Sequence, residues 1–192
     1  MNSKEFYKLR LCFTAIVSIA IWALLIWQHN HGGVPSHHIA ADASFPAISN
    51  WWGAALLPLL TWYLLYRVQK RLFRNKTETR ISFKNIIYRF AGALLFGSLI
   101  AICFTLGYED KTGYLVLGML PFAIFIPIYR AECLLGFVLG MTFTFGAALP
   151  TGFGILVSLM GIILYWLIRP GIYYALSKIT ILLALSKQKP QQ

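Results

Sequence analysis

Six apolar runs, none with an Asp, Glu, Lys, Arg or His near its middle, leave this chain little choice but a stack of membrane helices. The runs are Leu11–Trp27, Trp51–Tyr66, Ile86–Gly107, Gly113–Tyr129, Ala131–Leu149 and Phe153–Ile168. A helix needs about 20 mostly apolar residues to cross the hydrocarbon of a bilayer. Several runs are shorter, which implies little tilt and spans completed by interfacial residues. The runs are continuously apolar and do not alternate, which argues against the strands of a membrane β-barrel. Apolar residues make up 58% of the chain and charged residues 12%, with a mean hydropathy of +0.67. A soluble domain carries about 25% charge, so this chain has no means of covering a surface in water. The expected fold class is an all-α integral membrane protein, a bundle of six transmembrane helices forming a single membrane domain over residues 1–192.

Basic residues orient the bundle. Of 17 Lys and Arg, three precede the first run (Lys4, Lys8, Arg10) and eight lie from Arg67 through Arg89. Arg130 joins the fourth run to the fifth, and Arg169, Lys178, Lys187 and Lys189 follow the sixth. With the N-terminus inside, only Lys111 is left outside, and an even number of spans returns the C-terminus to the cytoplasm. Aromatic residues agree: Trp27, Trp51, Trp52, Tyr108 and Tyr114 fall at the outer interface, and Tyr66, Tyr88, Tyr129, Tyr165 and Trp166 at the inner one. The net charge of +11 does not indicate a nucleic-acid partner, because the basic residues are interrupted by apolar spans and sort to one side. The bacterial inner membrane is the expected location.

The basic start and first run resemble a secretory signal, but the nearest small-residue cleavage pattern, Ala41-Asp42-Ala43, lies far beyond the apolar run. The segment reads as an uncleaved first span. The basic cytoplasmic loop 67–85 is expected to meet anionic lipid headgroups. In the tail 169–192, Pro170-Gly171 is expected to separate the sixth span from a helix over Ile172–Ser186, which carries Lys178 at its centre and so reads as interfacial. Cys12, Cys103 and Cys133 are an odd, scattered set without disulfide or zinc-knuckle spacing and read as small packing residues.

The outer loop, residues 28–50, contains all four histidines: His29, His31, His37 and His38. Neutral imidazole binds zinc, copper or nickel, and it titrates near neutrality. Gly32-Gly33 and Pro35 allow a turn that would bring the two histidine pairs onto one centre. Three readings fit: a Zn or Cu site, an exposed polar loop whose histidines hydrogen-bond the backbone or water, or a pH switch, since adjacent histidines repel once protonated. The spacing H-x-H-x5-H-H matches no established zinc or di-iron motif. Asp42 in this loop, and Glu109 and Asp110 in the second outer loop, are candidate carboxylate partners that could ligate a metal or activate its water. The simpler account of Glu109 and Asp110 is a polar turn balanced by Lys111. Ser49 or Asn50 is expected to cap the second helix, with Trp51-Trp52 anchoring it in the interface.

The fifth run repeats small residues every fourth position: Gly136, Gly140, Thr144 and Ala148, with Glu132 one turn earlier. Gly136-Phe-Val-Leu-Gly140 is a GxxxG match, which allows close approach of another helix, from the same chain or from a second copy in a homo-oligomer. Glu132 is expected to be an interfacial carboxylate paired with the adjacent Arg130.

No nucleotide-binding, nucleophile-elbow or HExxH motif is present, and no ionisable group lies mid-span, where ion-coupled transporters usually place one. Three functional classes stay open. The preferred one is a sensor, carrier or accessory protein that binds a divalent metal or senses pH at the histidine loop. The others are a metal-dependent membrane enzyme acting on a lipid or lipid-linked substrate, and a small transporter, channel or assembly partner.

Overall fold

The computed structural model describes residues 2–38, 44, 46–74 and 82–187, and within these the side chains of 38, 74, 109, 175 and 181–187 fall outside the description. The described chain is almost wholly helical. In order it forms α1 (Ser3–Asn30), the strands β1 (Ser36–His38) and β2 (Ala47–Ser49), then α2 (Gly53–Arg74), α3 (Phe83–Thr105), α4 (Glu109–Phe125), α5 (Ala131–Phe145), α6 (Ala148–Ile163) and α7 (Arg169–Lys187). Three helical stretches are long and apolar enough to cross a membrane: Ser3–Asn30, Phe83–Thr105 and Ala148–Thr180.

Local sequence explains the helix limits. Asn2 opens α1 with a reciprocal capping box: its Oδ1 accepts from the Glu5 amide at 2.8 Å, and Glu5 Oε2 accepts from the Asn2 amide at 2.8 Å. Gly32 and Gly33, at φ 110° and 96°, end it, because few residues other than glycine adopt this backbone at low cost. Ser49 caps the 3-10 turn Asn50–Trp52 that leads into α2, its hydroxyl accepting from the Trp51 amide at 3.4 Å. α2 continues to Arg74, past the apolar run and into the basic segment.

The tail departs from expectation. Pro170-Gly171 does not end the sixth helix, because a π-helical stretch, Leu164–Ile168, carries α6 directly into α7. The Arg169 amide donates to Leu164 O, five residues back. A proline clashes with the carbonyl four residues before it and offers it no N–H; a widened turn just upstream accommodates both defects. The outer loop also differs, since it contains an antiparallel ribbon pairing Ser36 with Ser49, His37 with Ile48 and His38 with Ala47.

The bundle is built around α5. Only 15 residues long, it buries Glu132, Cys133, Leu135, Gly136, Phe137, Val138, Met141 and Thr142. At 1.5 Å per residue it is about 22 Å long, and it is surrounded chiefly by other helices. On one side Val138 joins Val17, Ile21 and Leu25 of α1 and Leu57 of α2; on the other, Phe137 and Met141 join Ile100 of α3 and Met119 of α4. A third cluster, Phe6, Val68 and Ile86, gathers the start of α1, the end of α2 and the start of α3. This is the basic end of the bundle; the hairpin lies at the other.

The glycine face of α5 is occupied by α3 of the same chain. A Cβ on Gly136 would collide with Phe90 O, and one on Gly140 with Leu94 O while lying 2.8 Å from Ser98 N. Gly97 of α3 reciprocates, since a Cβ there would stand 2.6 Å from Phe137 O. Thr144 follows on the same face, half-buried.

Gly140→Leu should force the two backbones apart and cost about 1–3 kcal/mol, the usual range for overpacking. Gly152→Leu, whose Cβ meets nothing within 4 Å, should be close to neutral. Thermal unfolding of the two variants in one detergent checks this, and equal midpoints would refute the close packing of α3 on α5.

Candidate functional site

Three arrangements carry unusual chemistry: the histidine hairpin, a buried ion cluster at the basic end, and a cavity beside that cluster. At the hairpin, the first two histidines go to different aromatic partners. His29, exposed in the last turn of α1, meets Trp51 edge-to-face with centroids 6.1 Å apart. His31 stacks on Trp27 at 4.8 Å, and its Nδ1 lies 2.9 Å from Trp27 O. His37 is half-buried on β1, with a buried Nε2 that has no hydrogen-bond partner. His38 pairs its backbone with Ala47; its side chain, Asp42 and the Glu109 side chain lie outside the described residues. Among the described residues, no three His, Cys, Asp or Glu side chains stand within reach of one metal ion. Asp110 is exposed in the first turn of α4, and Lys111 sits over the Tyr108 ring at 4.0 Å.

The three cysteines are free, with only Cys133 buried. Glu132 is the carboxylate that matters structurally. It is 2% exposed, and Arg71 Nη2 donates to both of its oxygens, at 2.7 and 2.8 Å. Arg89 Nη1 stands 3.7 Å from the same carboxylate, close enough for an ion pair but without a hydrogen bond. The partners are therefore Arg71 of α2 and Arg89 of α3, where the sequence suggested Arg130. One carboxylate thus serves two guanidiniums, and it accepts hydrogen bonds from Arg71 but not from Arg89.

Arg10 is a buried cation, 6% exposed. Its guanidinium lies 3.9 Å from the centroid of the Trp62 ring, with the Tyr7 and Tyr66 rings at 5.0 and 5.6 Å. Its Nη1 donates to Gln69 Oε1 at 3.0 Å, and Gln69 Nε2 donates to Ser3 O at 3.0 Å. Contact between a cation and aromatic faces offsets part of the desolvation of Arg10 and ties α1 to α2.

Beside the ion cluster, α3, α4, α5 and α6 enclose a cavity of about 430 Å³. Its wall is apolar, with Phe96, Met119, Leu134 and Phe137 toward the interior, and Arg89 and Ser158 supply polar groups. Of its lining residues, Tyr88 and Gly92 of α3, Phe122 of α4 and Ile126 just after α4 are exposed. Neither the cavity nor the Arg71–Glu132 pair was legible in the sequence. The one available signal was that Glu132 is the sole carboxylate inside any of the six apolar runs, which calls for a cationic partner.

Glu132→Gln should destabilise the bundle by about 3–5 kcal/mol, because it leaves Arg71 without its charge partner. Arg89→Gln should cost clearly less, since Arg89 makes no hydrogen bond to the carboxylate. Denaturant titration in mixed micelles measures both; a loss below about 1 kcal/mol for Glu132→Gln would contradict a buried pair.

Burial pushes the His37 imidazole below the ordinary histidine range. The closed ribbon then binds fewer protons than the opened one, so its stability is complete above about pH 6.5 and declines as pH falls from there toward the lowered value. Amide exchange of Asn50, whose N–H donates to Pro35 O at 3.1 Å, should accelerate below pH 6.5 beyond its intrinsic pH dependence, and should not do so in His37→Gln. Identical profiles would exclude His37 as the responsive group. No family model, no curated protein and no solved structure matches this chain.

Proposed function

We propose that this chain is a six-span inner-membrane protein that takes the acyl chain of a membrane lipid into the cavity between α3 and α4. The observation that carries the reading is the apolar wall together with the exposure of lining residues on α3 and α4. A cavity of this kind, with Gly92 and Phe122 at its exposed side, suits a hydrocarbon chain better than a water-soluble ligand. The order of the helix ends supports the topology. α1 and α3 begin, and α2 ends, in one cluster, and that cluster lies with Arg10, Arg71, Arg89 and Arg130; by the positive-inside rule this favours a cytoplasmic basic end. The absence of charge mid-span fits a binding, carrier or accessory role better than ion-coupled transport.

A second role is favoured by the unpartnered Nε2 of His37: the outer hairpin responds to acidification. Capture of zinc or copper by the same loop needs ligands beyond His29, His31 and His37, and these would have to come from His38, Asp42 or Glu109.

The lipid reading is tested by blocking the cavity. Gly92 lines it, and a Cβ added there meets nothing within 4 Å, so Gly92→Leu fills space without disturbing the helices. Wild-type protein, exchanged from native membrane into lipid-free detergent, should retain near-equimolar lipid by mass spectrometry. Gly92→Leu should lose most of it, and Gly152→Leu, away from the cavity, should keep it. Equal retention by all three proteins would rule the cavity out as the lipid site.

A further inference from the structure

The cavity has a cation at its edge whose hydrogen-bonding capacity is unspent, and this specifies the head of the ligand as well as its chain. Arg89 lines the cavity. Its nearest acidic partner is Glu132, and that carboxylate already accepts two short hydrogen bonds from Arg71 Nη2. Arg89 Nη1 is buried against Glu132 Oε1 at 3.7 Å, and among the described residues it donates to nothing. The remainder of the guanidinium, on a partly exposed side chain, is what a phosphate could meet, and its N–H groups match a phosphate in charge and geometry. Two guanidiniums around one carboxylate also leave an excess of one positive charge at the cavity's edge. The Arg89 side chain is 27% exposed, so the group reaches the boundary between the bundle and its surroundings.

We propose that Arg89 selects an anionic glycerophospholipid of the leaflet at the basic end, its phosphate on the guanidinium and one acyl chain in the cavity. This rests on the reading of the cavity as an acyl-chain site. Phosphate recognition by Arg89 leaves the Arg71–Glu132 pair in place, since the two interactions use different guanidiniums.

The experiment is native mass spectrometry of the full chain in detergent, with added phosphatidylglycerol or phosphatidylcholine of matched acyl chains. Both lipids carry a phosphate, but the choline ammonium of phosphatidylcholine cancels its charge and is repelled by the excess cation beside Glu132, so wild type should hold phosphatidylglycerol about ten times more tightly. Arg89→Gln should bind the two lipids alike, Arg89→Lys should keep most of the preference, and Gly92→Leu should bind neither. An excess of inorganic phosphate should leave the bound lipid in place. If wild type shows no preference while Gly92→Leu still abolishes binding, the headgroup assignment fails and the acyl-chain site stands. If neither lipid binds wild type, both readings fail. A preference that persists in Arg89→Gln, or lipid displaced by inorganic phosphate, would overturn headgroup selection by Arg89.

Discussion

The contact on which the rest of this bundle depends is the backbone-to-backbone approach of α3 and α5. In a bilayer, burying apolar side chains against one another gains little, because the lipid is as apolar as they are; close packing must supply the attraction. Gly97, Gly136 and Gly140 remove the side chains that would hold these helices apart, so carbonyl oxygens of each face the glycines of the other. That approach fixes α5 at the centre, and α1 with α2, α4 and α6 arrange themselves around it. It also excuses the shortness of α5. A helix of 15 residues need not meet the lipid over a full span when other helices surround it.

Polar groups inside this frame are handled by different devices. Thr142 and Thr151 return their hydroxyls to the carbonyls of Val138 and Ala147, at 2.7 and 2.6 Å, and so need no partner from another helix. Arg10 is surrounded by aromatic rings and a glutamine. Glu132 uses charge, and it joins α5 to α2 and, more loosely, to α3. The Arg10 and Glu132 ties lie near the basic end, where water can share the cost of holding charge. The other end is closed by shape: Gly146, at φ 70°, turns α5 into α6 with the Asn50 side chain packed so closely that no Cβ would fit.

Hydropathy made much of this architecture legible, because a continuous apolar run is a local property. Each run has a helix in it, and the face carrying Gly136 and Gly140 could be read from a spacing of four. Helix limits were less accessible. α2 extends to Arg74 because nothing in Arg67–Arg74 opposes a helix, although these residues are too basic to extend an apolar run. Pro170 was read as a boundary on intrinsic preference alone, and the π-helical stretch that absorbs it depends on backbone bonding that no residue type announces. The partner of Glu132 was misjudged for a more general reason. Arg130 is close in sequence, but Arg71 is 61 positions away and arrives only through the packing of α2 on α5. The histidines illustrate the limit from the other side. Their clustering in the sequence is real, yet the fold separates His29 and His31 onto different tryptophans.

The glycines of α3 sharpen the reading of the cavity. Gly97 has a steric reason to be glycine, since a Cβ there would press on Phe137 O at 2.6 Å. Gly92, on the same helix, has none: a side chain would enter open space. Glycine in a helix interior costs about 1 kcal/mol relative to alanine, and at Gly92 no close contact offsets that cost. A residue that is unfavourable for the helix and unnecessary for packing is accounted for if the space beside it has a use. That space is the cavity mouth, and Gly92 stands within one turn of Arg89. A single turn of α3 therefore carries both the glycine at the cavity and the cation proposed to hold a lipid head. α3 thus serves α5 through one face and the cavity through another, and the substitution that separates these roles is at Gly92, where volume can be added without touching α5.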